Sequence, residues 1–386
     1  MKFSYLTLGE NRWPGFKRDD VKYYDDYLKL ARELDKLDYM TLWTGEHHFA
    51  HVAAVSSPTV LLSAIAAQTE RIRLATAVNV LPFHHPVRYA EDLSTLDVIS
   101  GGRAQIGAGV GYAKGEFDGF EIDMSEARRR TREVLTIARS ALDTGKFGVS
   151  GEFFKTLPHL ELVPAPIQQP FPTYVALSGS WETVEWAAQN NHNLITGSQS
   201  PATTKKSLPK TIQVFQEIRQ DSGHSVGKVA VPFFTLCSTD EEKIEQEFQR
   251  MVDYWRYLSE DLDATLPPHL AYWADLKETF AGLTIEQLHN RQTAFGRPEK
   301  LIELFLNVAA SGVDEICIES FYGPQDIDEA IENAKFLREA VMPYVDERFG
   351  GPKYGWDPEQ RKVVLQKDAT NKMDGIEIPE PAEVED

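Results

Sequence analysis

"IRLATAVNVLPFHHPVRYAEDLSTLDVISGGRAQIGAGVG", residues 72–111, decides the architecture. Its opening run, residues 72–81, is apolar and rich in β-branched side chains, as a buried strand requires. Pro86 then opens a helical pattern, because a proline at the first helical position forfeits no hydrogen bond. "SGG", residues 100–102, ends that pattern, and a second apolar run, residues 103–111, follows at once. Neither run alternates strictly, so both faces of each strand expect cover. The helix between them is long enough to carry the chain back for a parallel pairing.

The same rhythm extends in both directions. Upstream lie an apolar run at residues 2–8, a helical pattern at 19–37, a run at 39–45, and a helix with Ser57 as candidate N-cap and Pro58 at its first position. Downstream, a helix at about 125–142 precedes a proline-rich excursion. Runs follow at 173–177, 193–198, 229–237 and 315–320, with helical patterns after each of them. Eight strand–helix units in series predict an α/β fold, a single closed (β/α)8 barrel over residues 1–343, with insertions at about 146–172 and 259–296. An open doubly wound sheet would carry a glycine fingerprint after its first strand, and none is there. Residues 344–386 end in "GIEIPEPAEVED" and read as an acidic C-terminal tail or extended arm.

The formal net charge of −19 argues against nucleic acid and anionic membrane as partners. No stretch approaches the roughly 20 apolar residues of a membrane span. Two cysteines, Cys237 and Cys317, and an opening without a signal-like apolar run fit a reducing cytoplasm.

A barrel of this kind does its chemistry at the carboxyl ends of its strands. There the second run delivers "TLWTGEHHF", residues 41–49. Side chains alternate along a strand, so His47 falls on one face and Glu46 with His48 on the other. The two imidazoles therefore have different jobs, and proton transfer near neutral pH is the natural one for a rim histidine. A turn hydrogen bond for one ring and solvent for the other is the plain alternative. No metal spacing such as HExxH occurs. Asn79, at the end of the third run, needs partners from a ligand or a neighbouring loop. Glycines 107, 109 and 111 end the fourth run, where either a flat ligand or another backbone can approach closely. After the fifth run, "LSGSWETVEW" leads into a helix whose free N–H groups and hydroxyls suit an anion such as phosphate, or form an ordinary serine cap.

Together, "WTGEHHF", "TAVNVLPFHHPVRYAEDLSTLDVISGGRAQIGAGVGY" and "LSGSWETVEWAA" resemble the bacterial luciferase-like flavin monooxygenases. The resemblance is closest up to about residue 190, looser over the last three units, and absent after about residue 350. It implies a TIM barrel binding FMN at its carboxyl face. By it, His47 matches the active-site histidine and Glu46 the adjacent acid. Ala77–Val78 matches a position where these barrels often carry a non-prolyl cis peptide, with Asn79 beside it. Gly109 stands where the luciferase catalytic subunit has a cysteine, and Val110 where it has an arginine that reaches the phosphate. Gly179, Ser180 and Thr183 match the phosphate loop, with Gly179 in place of a glutamate. Tyr112 and Leu177 complete the expected cofactor contacts. The departures at 109, 110 and 179 point to a relative of luciferase and leave the phosphate's counter-cation open.

The resemblance further implies a two-component monooxygenase. A separate flavin reductase would supply reduced FMN, and molecular oxygen would attack a small organic substrate through a flavin hydroperoxide. Aromatic residues Tyr254, Trp255, Tyr257, Tyr272 and Trp273 would supply a substrate lid or pack the excursion onto the barrel. Small and apolar residues on the helices after the second and third runs predict a homodimer. The rivals are a deazaflavin-dependent hydride-transfer enzyme of the same superfamily and a flavin-binding subunit without catalysis.

Overall fold

The computed structural model describes residues 1–10, 12–13, 16–49, 55–177, 180–196, 208–261, 272–289, 293–366 and 376–381. Eight parallel strands form a closed barrel: β1 Lys2–Thr7, β2 Thr41–Thr44, β3 Arg73–Thr76, β4 Ala104–Gly109, β5 Thr173–Leu177, β6 Asn193–Thr196, β7 Val229–Cys237 and β8 Glu315–Glu319. Closure comes from β8, which pairs with β7 on one side and with β1 on the other, Phe3 opposite Ile316. The outer ring comprises α1 Asp20–Lys36, α2 Pro58–Ala66, α3 Pro86–Ser100, α4 Ala127–Thr144, α5 Trp181–Gln189, α6 Leu208–Asp221, α7 Pro298–Ala310 and α8 Ile327–Ala340. Each helix turns an apolar stripe inward onto the strands. Leu30, Ala31 and Leu34 of α1 and Leu301, Phe305 and Leu306 of α7 are almost fully buried in one continuous core.

The lumen is packed with side chains. Trp43, Leu6, Ala75, Tyr174, Ile195, Ala230 and Cys317 fill its middle. At its amino end the Trp43 Nε1–H donates to Glu315 Oε1 at 2.8 Å, and Ser4 Oγ–H donates to the same oxygen. Truncating a ring buried like Trp43 costs about 3–5 kcal/mol.

The strands end close to where the apolar runs end, with informative exceptions. The third run, 72–81, is interrupted: β3 stops at Thr76, the Ala77–Val78 peptide is cis, and Asn79–Val80 resumes as a separate short strand against β4. Ser57 precedes α2 but its side chain makes no capping bond, so Pro58 alone marks that start. Among the described residues, the segment 259–296 contains two further helices, Tyr272–Ala281 and Ile285–His289, beside Glu241–Asp261. The excursion at 146–172 holds only the isolated bridges Lys146–Glu161 and Ser150–Lys155.

The stretch from 344 is less of a tail than its composition suggests. Asp346 is fully buried and accepts from the Phe3 N–H at 3.0 Å and from the Arg348 guanidinium. A hairpin, Tyr354–Asp357 with Lys362–Leu365, lies beneath the barrel's amino end. It helps enclose a polar cavity of about 350 Å3, bordered by Lys2, Arg73, Gln105, Asp314 and Trp356.

Candidate active site

At the carboxyl mouth β2 ends at Thr44, and beyond it the two imidazoles take different partners. The organising group on one side is Glu46, 3% exposed. Its Oε2 accepts from Asn79 Nδ2 at 2.6 Å and from the Val80 N–H at 3.3 Å. Its Oε1 meets His48 Nε2 at 2.9 Å and His84 Nε2 at 3.0 Å. Burial alone would raise this carboxyl, but the bonds from His48, His84 and Asn79 outweigh it and hold Glu46 at about 2. Asn79 completes the network by accepting from Tyr89 Oη at 3.1 Å. Both ends of its amide are therefore taken by protein, and its side chain positions Glu46 rather than reaching a ligand. His48 is wedged edge-on against Phe120 and Phe83, with ring centroids 4.7 and 5.7 Å away.

His47 points the other way. Its Nδ1 lies 2.9 Å from Glu116 Oε1, which also accepts the His48 backbone N–H at 2.8 Å. Tyr112 stands edge-on to the His47 ring with centroids 5.8 Å apart. Among the described residues nothing bonds the ring's other nitrogen, Nε2. Glu116 belongs to the short helix Lys114–Gly119 and is 3% exposed. Sequence reasoning missed it: six residues carry no periodicity, and the contact spans 69 positions. His84 was also passed over, since nothing in "FHHP" announces that its ring turns to Glu46. Among the described residues no group of histidine, cysteine and carboxylate side chains could hold a metal ion.

The glycines of β4 serve the protein's own packing. A β-carbon on Gly107 would collide with the Thr76 carbonyl oxygen, and one on Gly109 with the Val78 side chain. The close approach anticipated there is thus made by the β3 backbone and the cis segment. Val110 packs with Phe83 and Ile122 on the cluster of Phe117, Met124 and Ala127, forming an apolar wall. Leu177 is buried in the outer core.

Gly179 and Ser178 lie outside the described residues. Ser180 occupies the N-cap position of α5 in extended conformation, and its hydroxyl makes no capping bond. Its carbonyl accepts from the Thr183 N–H at 3.1 Å. Two arginines of α4 close over this helix start: Arg128 pairs with Glu182, and Arg132 donates to the other Glu182 oxygen at 2.7 Å. In the sequence both look like the solvent face of an amphipathic helix. The structure puts their charge beside an uncapped helix N-terminus, where an anion is favoured.

The aromatic segment divides. Tyr254 is fully buried, and Trp255 stacks on Phe280 with centroids 4.3 Å apart, so both pack the excursion. The side chains of Tyr272 and Trp273 lie outside the described residues.

The chain is similar in sequence and in fold to known proteins. The chain is 26% identical over 367 residues to an alkanal monooxygenase alpha chain from Photorhabdus luminescens, covering 90% of this chain and 98% of the relative. Its fold matches the monooxygenase RslO1 from Streptomyces bottropensis with a TM-score of 0.75, at 23% identity, over 89% of this chain and 99% of that one. The fold also matches the oxygenating constituent of 3,6-diketocamphane monooxygenase from Pseudomonas putida, solved with FMN, at a TM-score of 0.69 and 18% identity, covering 89% and 98%. The family model of the luciferase-like monooxygenases matches residues 1–315, most of the closed barrel, and the chain belongs to that family.

Proposed function

We propose that this protein is the oxygenase component of a two-component flavin monooxygenase, taking reduced FMN from a separate reductase and oxygenating a small organic substrate with molecular oxygen. The observation that carries this reading is that one rim holds both an anion site, at the start of α5, and a proton-handling imidazole, His47. The residues fit the cofactor. The uncapped Ser180 hydroxyl, the N–H groups of the first turn and Thr183 would receive the phosphate, and Arg128 with Arg132 would supply the counter-charge that Val110 does not. When bound, reduced flavin supplies the electrons that activate oxygen.

The chain's own groups do the rest. Glu116 holds the His47 ring by Nδ1, which fixes its orientation and keeps the ring proton there. Nε2 is left with its lone pair toward the mouth, able to take a proton and, once protonated, to return it. On the opposite face, the wall of Phe83, Phe117, Phe120 and Val110 backs His48 and keeps water from the Glu46 side of the rim. Tyr112 limits the motion of the His47 imidazole.

The test compares the two cofactors of this superfamily. The protein is mixed anaerobically with reduced FMN or with reduced deazaflavin, then with oxygen and a panel of candidate substrates, and products are read by mass spectrometry. Binding of reduced FMN with oxygen uptake and an oxygenated product is expected. Hydride transfer from the deazaflavin without oxygen uptake would replace this reading with the dehydrogenase one. FMN binding with no product from any substrate would favour the non-catalytic subunit.

A further inference from the structure

The mouth has a second carboxyl site, on the side away from Glu46. Side chains of β8 alternate into the lumen: Glu315 bonds Trp43 at the amino end, Cys317 packs the middle, and Glu319 is the topmost inward residue. Glu319 is 4% exposed, yet its Oε1 is buried with no hydrogen-bond partner among the described residues. Glu10, equally buried, reaches the same space from the loop after β1. Its Oε1 accepts from the Tyr254 hydroxyl and its Oε2 from the Gly323 N–H at 2.8 Å. Glu10 acts electrostatically on Glu319, and His47 on Glu10, so the pair and the imidazole share one mouth. Rings wall the pair. Trp13 stacks on Tyr254 with centroids 5.6 Å and planes 4° apart, and Phe234 stands edge-on to Tyr254 and Tyr322 at 5.6 and 5.0 Å.

A buried carboxyl oxygen without a donor carries a desolvation cost that an incoming N–H or positive charge removes. The faces of Trp and Tyr attract the same charge. We propose that this half of the mouth is a substrate pocket for a ring-bearing compound with a positively charged nitrogen, the cation seated between Glu319 and Glu10 and the ring among Trp13, Phe234 and Tyr254. Calling the occupant a substrate rests on the oxygenase reading above; the preference for a cation does not.

The protonation of the two acids agrees. Burial drives both acids up: Glu10 to about 7 in spite of its bonds from Tyr254 and Gly323, and Glu319 well above the usual carboxylate range, with the charge of Glu10 adding to the effect. Tyr5, Tyr254, Tyr322 and Cys317, which face the pair from β1, the helix Glu241–Asp261, the loop after β8 and β8 itself, are all raised by burial. Tyr112 faces it from the loop after β4, and the Glu247–Arg250 ion pair stands behind Tyr322. A bound cation therefore expels protons from the carboxyls, and its affinity rises with pH between about 6 and 8.

The probes are benzylammonium and benzyl alcohol, matched in size and differing in charge. Each is titrated calorimetrically into the full-length protein, with and without FMN, and into Glu319→Gln and Glu10→Gln. Titrations run at three pH values and in two buffers of different ionisation heat. Histidine ordinarily titrates in the same window, so His47→Gln is measured too. Wild type is expected to favour benzylammonium about tenfold or more, with proton release that persists in His47→Gln. Glu319→Gln should erase the preference while thermal unfolding shows an intact fold. Equal affinity for the two probes in wild type, or a preference that survives in both carboxyl variants, overturns the proposal. Flavin fluorescence on the same samples keeps the two readings apart. Wild type that binds no FMN sinks the oxygenase reading and leaves the cation preference standing. FMN binding lost only in Glu319→Gln assigns that acid to the flavin and overturns the pocket.

Discussion

Glu46 and Glu319 flank one mouth, each close to the carboxyl end of its strand and each almost wholly buried, at 3% and 4% exposure. Desolvation presses on both, yet Glu46 sits at about 2 and Glu319 far above the ordinary range. The difference lies in donors. Glu46 receives Asn79, the Val80 N–H, His48 and His84, whereas Glu319 Oε1 receives none among the described residues. Burial alone therefore does not reveal what a buried acid is for. A fully bonded carboxylate is a strut, and one short of donors marks space kept for something else. The β2–β4 half of the mouth is a finished scaffold, and the β1, β7 and β8 half is completed by its ligand.

The hardest test of that division is His47, where the halves meet. His47→Ala should lower product formation by about 10²–10⁴-fold with the fold kept, in steady-state turnover under saturating reduced FMN. His48→Ala, which removes a strut, should cost stability more than rate. Full turnover by His47→Ala beside a crippled His48→Ala would reverse the assignment of the halves.

Next in size, Glu46→Ala should destabilise the protein by about 3–5 kcal/mol in denaturant unfolding, because it strands His48, His84 and the Asn79 amide around an emptied site. The two sides also respond oppositely to pH. Glu46 is held below its ordinary 4.5, so it contributes stability above that pH, on the order of 3 kcal/mol, lost as pH falls through about 2. Glu10 is held above 4.5, so the stability it contributes is present in acid and lost as pH rises through about 7. Melting temperature against pH should show both arms, and Glu10→Gln should make only the upper one shallower, Glu319 and Asp314, also raised by burial, carrying the rest. A melting profile in Glu10→Gln whose decline between pH 5 and 7 is as steep as that of wild type would break the contrast.

The phosphate site gives a smaller effect. Arg128→Ala should weaken FMN binding by about 1.5–3 kcal/mol and Ser180→Ala by about 1–2 kcal/mol, with riboflavin nearly indifferent to either. Equal losses for FMN and riboflavin would move the phosphate away from α5. Smallest of all is the outer surface. Val60 on α2 and Val98 and Ile99 on α3 are exposed at 69%, 42% and 51%, as an unpartnered face would be. Val60→Lys with Ile99→Lys should shift a dimer to monomer in light scattering while changing monomer stability by no more than about 0.5 kcal/mol. Wild type that is monomeric at micromolar concentration removes the interface.

What could be read beforehand follows from locality. β5 and β7 match their sequence runs residue for residue, because β-branched and aromatic runs bounded by turn residues leave little choice of register. The different partners of His47 and His48 were legible because adjacent side chains at a strand's end seldom share one direction. The break at Ala77–Val78 had no sequence signal of its own, and only the family resemblance pointed to it. Glu116, His84, Arg128 and Glu319 were illegible for a different reason. Each is defined by a partner tens to hundreds of positions away, and a charge on an amphipathic helix looks the same whether it faces solvent or a ligand. The hairpin Tyr354–Leu365 was hidden in a stretch whose composition suggests an arm.

The seam where the first strand meets the end of the chain bears on how the molecule comes into being. The Phe3 N–H waits for Asp346, 343 positions later, and β1 has one neighbour in β2 and the other in β8. During synthesis most of the strands emerge while β1 still presents an open edge and the lumen has a missing wall. Closure is thus a late, long-range event that must wait for β8. Until then the nascent chain offers that edge to any other extended segment nearby. Truncation just before residue 346 would leave β8 to close that edge but strand the Phe3 N–H beneath it, and the cell would register the weakened seam as lower soluble yield before any assay registered it as lower turnover.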